Sequence, residues 1–188
     1  AKTGPQNHIP TSAMRRVPAE WESHDSTWMQ WPKPTEYSYR KNFSDIIDVL
    51  QDYEPINIVV ANSNARTQAK NYLTGQGVPL TNLNWHIMQY DWAWMRDNGP
   101  VWITEGTKPV VQDWGFDGWG GLVPYWSQDD SVPPQVAAVE GVLCEDLNQL
   151  INEGGNLEFN GVDTVIPSWP CLHDRTPPRS QAHMETLL

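Results

Sequence analysis

Cysteine is scarce, with only Cys144 and Cys171 in 188 residues. Two thiols build neither a disulfide framework nor a four-cysteine zinc site. A chain of this length buries roughly two-thirds of its unfolded surface and needs no such staples. Basic residues are also few: 12 Lys and Arg stand against 23 Asp and Glu, giving a net charge of −11. That balance argues against nucleic acid, whose partners carry a basic face, and it suits a small cationic ligand. No apolar run approaches the roughly 20 residues that span a bilayer, so no membrane partner is expected. The five histidines (His8, His24, His86, His173 and His183) form neither His-x-His nor HExxH, so no metal site is indicated. Ala1-Lys2-Thr3 opens the chain without an initiator methionine and without a legible leader, which reads as a processed product or a fragment. A cytoplasmic setting is the working expectation, although these residues do not fix a compartment.

Tryptophan, in contrast, is abundant: eleven indoles accompany sixteen prolines. Such a composition builds a large-residue core, a carbohydrate platform or an aromatic-walled pocket. Residues 1–17, with Pro5 and Pro10, read as an extended arm, and a loop is expected through Trp31-Pro32-Lys33-Pro34. Phe43, Ile46, Ile47, Leu50 and Tyr53 recur at helical spacing. Ile56 to Ala61 is a short apolar run that suits a buried strand. Asn62 or Asn64 is placed to cap a second helix that ends near Gly75 and Gly77. Leu83–Met88, Val101–Thr104 and Pro109–Trp114 read as further strands. A helix is expected over 134–152, with Val136, Val139, Leu143, Leu147, Leu150 and Ile151 as its buried stripe and Cys144 among them. Asn160-Gly161 predicts a hairpin. Cys171 falls in a loop, and Ser180 to Leu188 reads as a final helix. This is an α/β pattern of short units.

Three acidic, aromatic segments carry the candidate chemistry. In Trp94-Met95-Arg96-Asp97-Asn98-Gly99-Pro100, the Asn-Gly-Pro turn ends a segment just after Asp97 and aims its carboxylate. A carboxylate beside large indoles holds a flat cation, because the rings exclude water and the acid accepts hydrogen bonds in a plane. The same residues also read as an Arg96–aspartate ion pair with structural tryptophans. Glu153-Gly154-Gly155-Asn156 places an acid at the expected helix end, where the macrodipole opposes it. Its two glycines permit close approach of another group, or merely a C-cap. Asp113 to Gly121 reads as a pocket wall of indoles and acids, or as a tight aromatic turn.

In this order, the motifs are similar to those of the agmatine deiminase and bacterial-type peptidylarginine deiminase family of the guanidine-modifying (pentein) superfamily. The resemblance starts in Arg16-Val17-Pro18-Ala19-Glu20-Trp21-Glu22-Ser23-His24 and Trp28-Met29-Gln30-Trp31-Pro32. It runs through the three segments above and Asp129-Asp130, and ends in Cys171-Leu172 with Arg175-Thr176-Pro177. It implies an incomplete pentein β/α-propeller over 18–188, about half of a pseudo-fivefold fan of ββαβ modules. It implies hydrolysis of a guanidino group: agmatine to N-carbamoylputrescine and ammonia, as in putrescine and polyamine biosynthesis, or alternatively arginine or peptidyl-arginine. It implies a covalent cysteine intermediate and no cofactor. Carried over by position, Asp97 and Glu153 are the expected catalytic and substrate-binding residues, Trp94 lines the pocket, and Trp119 and Trp21 stand near its entrance. The family's His-x-Asp segment and nucleophilic cysteine have no counterpart in 157–188, so the chain alone is expected to be inactive. A homo-oligomer or a complementing chain is a possible partner. A Trp-rich carbohydrate- or amine-binding module without catalysis is the alternative of another class.

Overall fold

A computed structural model describes residues 15–175 and 180–187. Most of the expected arm, residues 1–14, lies outside the described residues; its end forms β1 (Arg15–Arg16). In chain order there follow β2 (Thr27–Gln30), a 3-10 turn (Pro34–Tyr39), α1 (Arg40–Leu50), β3 (Ile56–Val60), α2 (Ser63–Gly75) and β4 (Leu83–Ile87). After these come α3 (Met95–Asn98), β5 (Val101–Glu105), β6 (Lys108–Gly115), α4 (Gly118–Gly121), α5 (Val132–Glu140) and β7 (Leu143–Ile151). A 3-10 turn (Gly154–Asn156), β8 (Leu157–Phe159), β9 (Val165–Pro167), α6 (Trp169–Arg175) and α7 (Gln181–Leu187) complete the order.

The first unit is a parallel sheet in the order β2-β3-β4. Its middle strand shows why a continuous apolar run is needed. Ile56, Ile58 and Val60 face a core with Trp31, Ile47, Ala69 and Leu73, while Val59 faces a second core with Met88, Tyr90, Val132 and Val136. Successive side chains of a strand point to opposite faces, so a strand covered on both sides must be apolar throughout. Asn62 caps α2 by accepting from the Ala65 N–H at 2.9 Å, which fixes where that helix starts. The second unit has the sheet order β1-β5-β6-β7. Within it β5 and β6 are antiparallel and β7 is parallel to β6, with α5 as the crossover. This is the expected ββαβ module; the first unit is βαβαβ instead. A third unit opens with the antiparallel pair β8–β9. Leu157, Leu172 and Met184 of this unit pack on Trp114 and Leu150 of the second.

The helix expected over 134–152 is a helix followed by a strand. Pro133 stands in the first turn of α5, where its missing N–H costs nothing. Gly141, at φ 68°, ends that helix in the left-handed conformation. Cys144, Leu147, Leu150 and Ile151 therefore belong to β7, and Val139 and Leu143 are exposed rather than part of a buried stripe. The helical spacing arose by chance on either side of the glycine. Cys171 lies in α6 and not in a loop. The Asn160-Gly161 hairpin forms, but across a longer connection to β9. Asn160 Oδ1 accepts from the N–H groups of Val162, Asp163 and Thr164, and Gly161 has φ 78°. β2 also forms where no strand was expected, because it pairs along β3.

Candidate active site

Asp97 stands on α3, a single turn formed by local closure. The Asp97 and Asn98 N–H groups donate to Trp94 O at 2.9 and 3.1 Å, and Gly99 N–H donates to Met95 O at 2.9 Å. A Cβ on Gly99 would come within 2.3 Å of that carbonyl, so the turn closes only on glycine. Arg96 points away from Asp97 and pairs with Glu20 at 2.8 Å, with both side chains largely exposed. The ion pair between Arg96 and a neighbouring aspartate does not form. Asp97 Oδ2 accepts from Trp119 Nε1 at 3.0 Å, and no lysine or arginine pairs with Asp97 among the described residues.

Glu153 arrives from the end of β7. Asn152 N–H donates to Gly115 O at 3.0 Å, and Asn156 N–H closes the following 3-10 turn on Glu153 O at 2.9 Å. Glu153 therefore follows a strand, which removes the helix-dipole penalty expected for it. The two glycines after it admit α3: a Cβ on Gly154 would meet Arg96 O at 2.4 Å, and one on Gly155 would meet Asp97 Oδ1 at 2.3 Å. This close approach sets Asp97 against the backbone that follows Glu153. Glu153 is 5% exposed. Its Oε1 accepts from Arg175 Nε at 2.5 Å. Burial pushes its carboxyl above the ordinary glutamate range, against the pull of the Arg175 guanidinium, which favours the charged form.

Two adjacent aspartates ahead of α5 hold both arms of this arrangement. Asp129 is fully buried, and its Oδ1 accepts from the N–H groups of Asp91 and Trp92 at 2.7 and 3.1 Å, just upstream of α3. Asp130 Oδ1 accepts from Phe116 N–H at 2.7 Å, just upstream of Trp119. The 90–93 segment is also held by Glu36 Oε1, which accepts from Ala93 N–H at 3.0 Å. In α4, Trp119 has φ 60°, a left-handed conformation that costs a non-glycine residue on the order of 1 kcal/mol. Its indole bond to Asp97, an edge contact with Phe116 at 5.0 Å, and the bond from Gly120 N–H to Asp117 Oδ1 at 2.7 Å hold it there.

The structure thus sets Asp97 on the Trp119 indole and against Gly155, two residues after Glu153. Trp94 adjoins them as the residue before α3; its ring is 37% exposed and meets Tyr39 edge-on at 5.2 Å. Trp21 is 77% exposed, and the hydrogen bonds and ring contacts of the site do not reach it. A cavity of about 620 Å³ is lined by residues that include Trp28, Met95, Arg96, Trp102 and Gly154, and Asp97, Glu153 and Trp119 are not among them. Sequence reasoning gave Arg175 no role. Its only sequence signal was its place in the closing motif, because the Glu153 contact spans 22 residues. Among the described residues, no group of three or more His, Cys, Asp or Glu is arranged to hold a metal ion. No helix among them is long and apolar enough to cross a membrane.

The agmatine deiminase of Pseudomonas aeruginosa (strain LESB58) is 31% identical over 197 residues, covering 95% of this chain and 52% of the relative. The structure of Enterococcus faecalis agmatine deiminase superposes with a TM-score of 0.82 at 26% identity, covering 93% of this chain and 49% of that one. The putative arginine deiminase of Porphyromonas gingivalis shares the fold, with a TM-score of 0.75 at 21% identity over 93% of this chain and 53% of that one. The chain therefore spans about half the length of the relatives it matches. The α/β architecture is the partial pentein fan. With a family match that runs from residue 16 to residue 188, the chain belongs to the Porphyromonas-type peptidyl-arginine deiminase family.

Proposed function

We propose that this chain supplies the guanidinium-binding side of an agmatine-deiminase-type hydrolase. Agmatine is the substrate, and N-carbamoylputrescine and ammonia are the products. The observation that carries the reading is the Asp97 carboxylate. It is oriented by the Trp119 indole N–H, pressed against Gly155 and unpaired with any cation among the described residues, while the adjacent Arg96 turns away to Glu20. A carboxylate so held accepts two parallel N–H bonds from a planar cation. Glu153 adds a second carboxylate, and Trp94 and Trp119 give the cation the aromatic surroundings that strengthen such pairing. That relatives of this chain are named agmatine deiminase supports agmatine as the substrate ahead of arginine or peptidyl-arginine.

In this chemistry a thiolate adds to the guanidinium carbon, ammonia leaves with a proton supplied by an imidazole, and water then cleaves the carbon–sulfur bond. Neither cysteine here is assigned the nucleophile. Cys144 is the second residue of β7, about 20 Å from the end of the strand that leads to Glu153 at the ordinary rise per residue. Burial, with Asp113, Asp146 and Glu145 nearby, pushes its thiol above the ordinary range, away from thiolate character. Cys171 lies within α6, and among the described residues no histidine is hydrogen-bonded to it. The thiolate and imidazole come from sequence outside these residues or from a complementing chain.

Calorimetric titration of the chain with agmatine, arginine and an oligosaccharide tests the reading. Agmatine binding that falls at least about tenfold in Asp97→Asn is expected, since a charge-assisted pair is lost. A response to the oligosaccharide alone, or unchanged agmatine affinity in Asp97→Asn, would overturn it.

A further inference from the structure

Glu153 is already held by a guanidinium that belongs to the chain. Arg175 Nε donates to Glu153 Oε1 at 2.5 Å, and both side chains are mostly buried. The arginine is presented from the last turn of α6, whose Leu172 is buried among Trp114, Leu150, Leu157 and Met184. Its base is therefore fixed by the core. The guanidinium end runs beside α4: a Cβ on Gly120 would lie 3.6 Å from Nη1, in ordinary contact. Asp117 is near enough to act on the charges of both Arg175 and Glu153. Asp97, the other carboxylate, makes no ion pair with Arg175 and stays with Trp119.

Two roles are open to a cation in this place. It could mimic the ligand and occupy the site, or it could be a fixed counter-ion that sets the carboxylate in position. Three features favour the second. Contact is made through Nε, side-on and on one oxygen only, not through the terminal nitrogens in the forked grip that a ligand guanidinium adopts. The arginine is anchored by a core helix rather than by an exposed loop. Neither Asp97 nor Asp117 forms an ion pair among the described residues, and with Glu153 they set three carboxylates against one guanidinium, so the site keeps excess negative charge for a ligand.

We propose that Arg175 is the positioning residue of this site: it binds one oxygen of Glu153 and so fixes the other toward a cationic ligand shared with Asp97. This rests on the guanidinium-binding reading above. Without Arg175, a carboxylate in this buried place gives up its charge more readily, because burial already favours its neutral form.

The test uses the 188-residue chain and its Arg175→Lys, Arg175→Gln and Arg175→Met variants, in the wild-type background and with Glu153→Gln, with agmatine as the probe. Circular dichroism establishes which variants are folded. Arg175→Met is expected to weaken agmatine binding about tenfold, Arg175→Gln nearly as much, and Arg175→Lys to restore a large part. In the Glu153→Gln background the same changes should cost little, which a purely structural role would not produce. The pH below which binding is lost should rise in Arg175→Met. Should that variant not fold, Arg175→Gln carries the comparison. Tighter agmatine binding in Arg175→Met would show a self-occupying guanidinium and overturn the proposal, as would an equal effect with and without Glu153. A wild-type chain that does not bind agmatine would instead defeat the functional reading. In that case the Glu153 carboxyl titration, followed by carbon NMR, still decides for Arg175: an unchanged midpoint in Arg175→Met removes its hold on Glu153.

Discussion

At the scale of single residues, the site depends as much on what is missing as on what is present. Gly155 has no Cβ, and the Asp97 carboxylate occupies the space one would take. Gly155→Ala is therefore expected to push Asp97 off the Trp119 indole. The predicted result is a loss of agmatine affinity of about tenfold, with a stability cost of about 1–3 kcal/mol from the overpacked contact. Calorimetry and urea denaturation measure the two separately. An alanine variant with unchanged affinity would show that the Asp97 position is not what the ligand reads. The pairing of Asp97 with Trp119 could not be read from the chain, because 22 residues separate them. The requirement for small residues after Glu153 was legible as a permitted close approach, although the group that approaches was not.

At the scale of elements, local rules succeeded wherever the chain itself supplied the signal. Asn62 was one of two candidate caps, and it is the one whose side chain accepts from a helical N–H. Asn62→Ala is expected to destabilise the fold by about 1 kcal/mol. In the same helix, Gly75 has open space around its α-carbon and no positive φ, so Gly75→Ala should stabilise by about 0.5–1 kcal/mol. Urea midpoints with unchanged slopes check both, and a loss of stability in Gly75→Ala would contradict the open environment. Local rules failed at residues 141–151. There the apolar positions fit a helical stripe, yet Gly141 turns left-handed and the chain pairs in parallel along β6. Periodicity sees one face at a time, and a neighbouring strand decides which period the segment adopts.

At the scale of the whole molecule, buried acids set a pH dependence. Burial pushes Asp129 up to about 7 and Asp113 up to about 6, from an ordinary value of 3.8. Both groups bind their protons more tightly in the folded state than in the unfolded chain. Stability therefore falls as pH rises from about 4 toward 7, and changes little beyond that. Arg16 and a backbone N–H hold Glu22 down to about 2, so its contribution is present above 4.5 and is lost only in strong acid. A melting temperature several degrees higher at pH 5 than at pH 8 is expected, with the difference reduced in Asp129→Asn. A flat profile in the wild type would mean that these carboxylates ionise freely in the fold. The strand edges make a second prediction. Among the described residues, β7 ends its sheet and β8–β9 form a sheet of two strands, so each offers an outer strand edge. Light scattering on the 188-residue chain is expected to show self-association at micromolar concentration, whereas a stable monomer would show these edges to be protected.

The sequence by itself determined the α/β class, the strand buried on both faces, the capped second helix and the acidic, indole-rich segments that carry the family signature. Each of these depends on residues within a few positions of one another, where chain geometry and side-chain chemistry act directly. Only the tertiary structure decided that Arg96 turns away to Glu20 and that Arg175 comes to Glu153. Those outcomes rest on which elements pack together, since a charged side chain takes whichever partner folding places within reach.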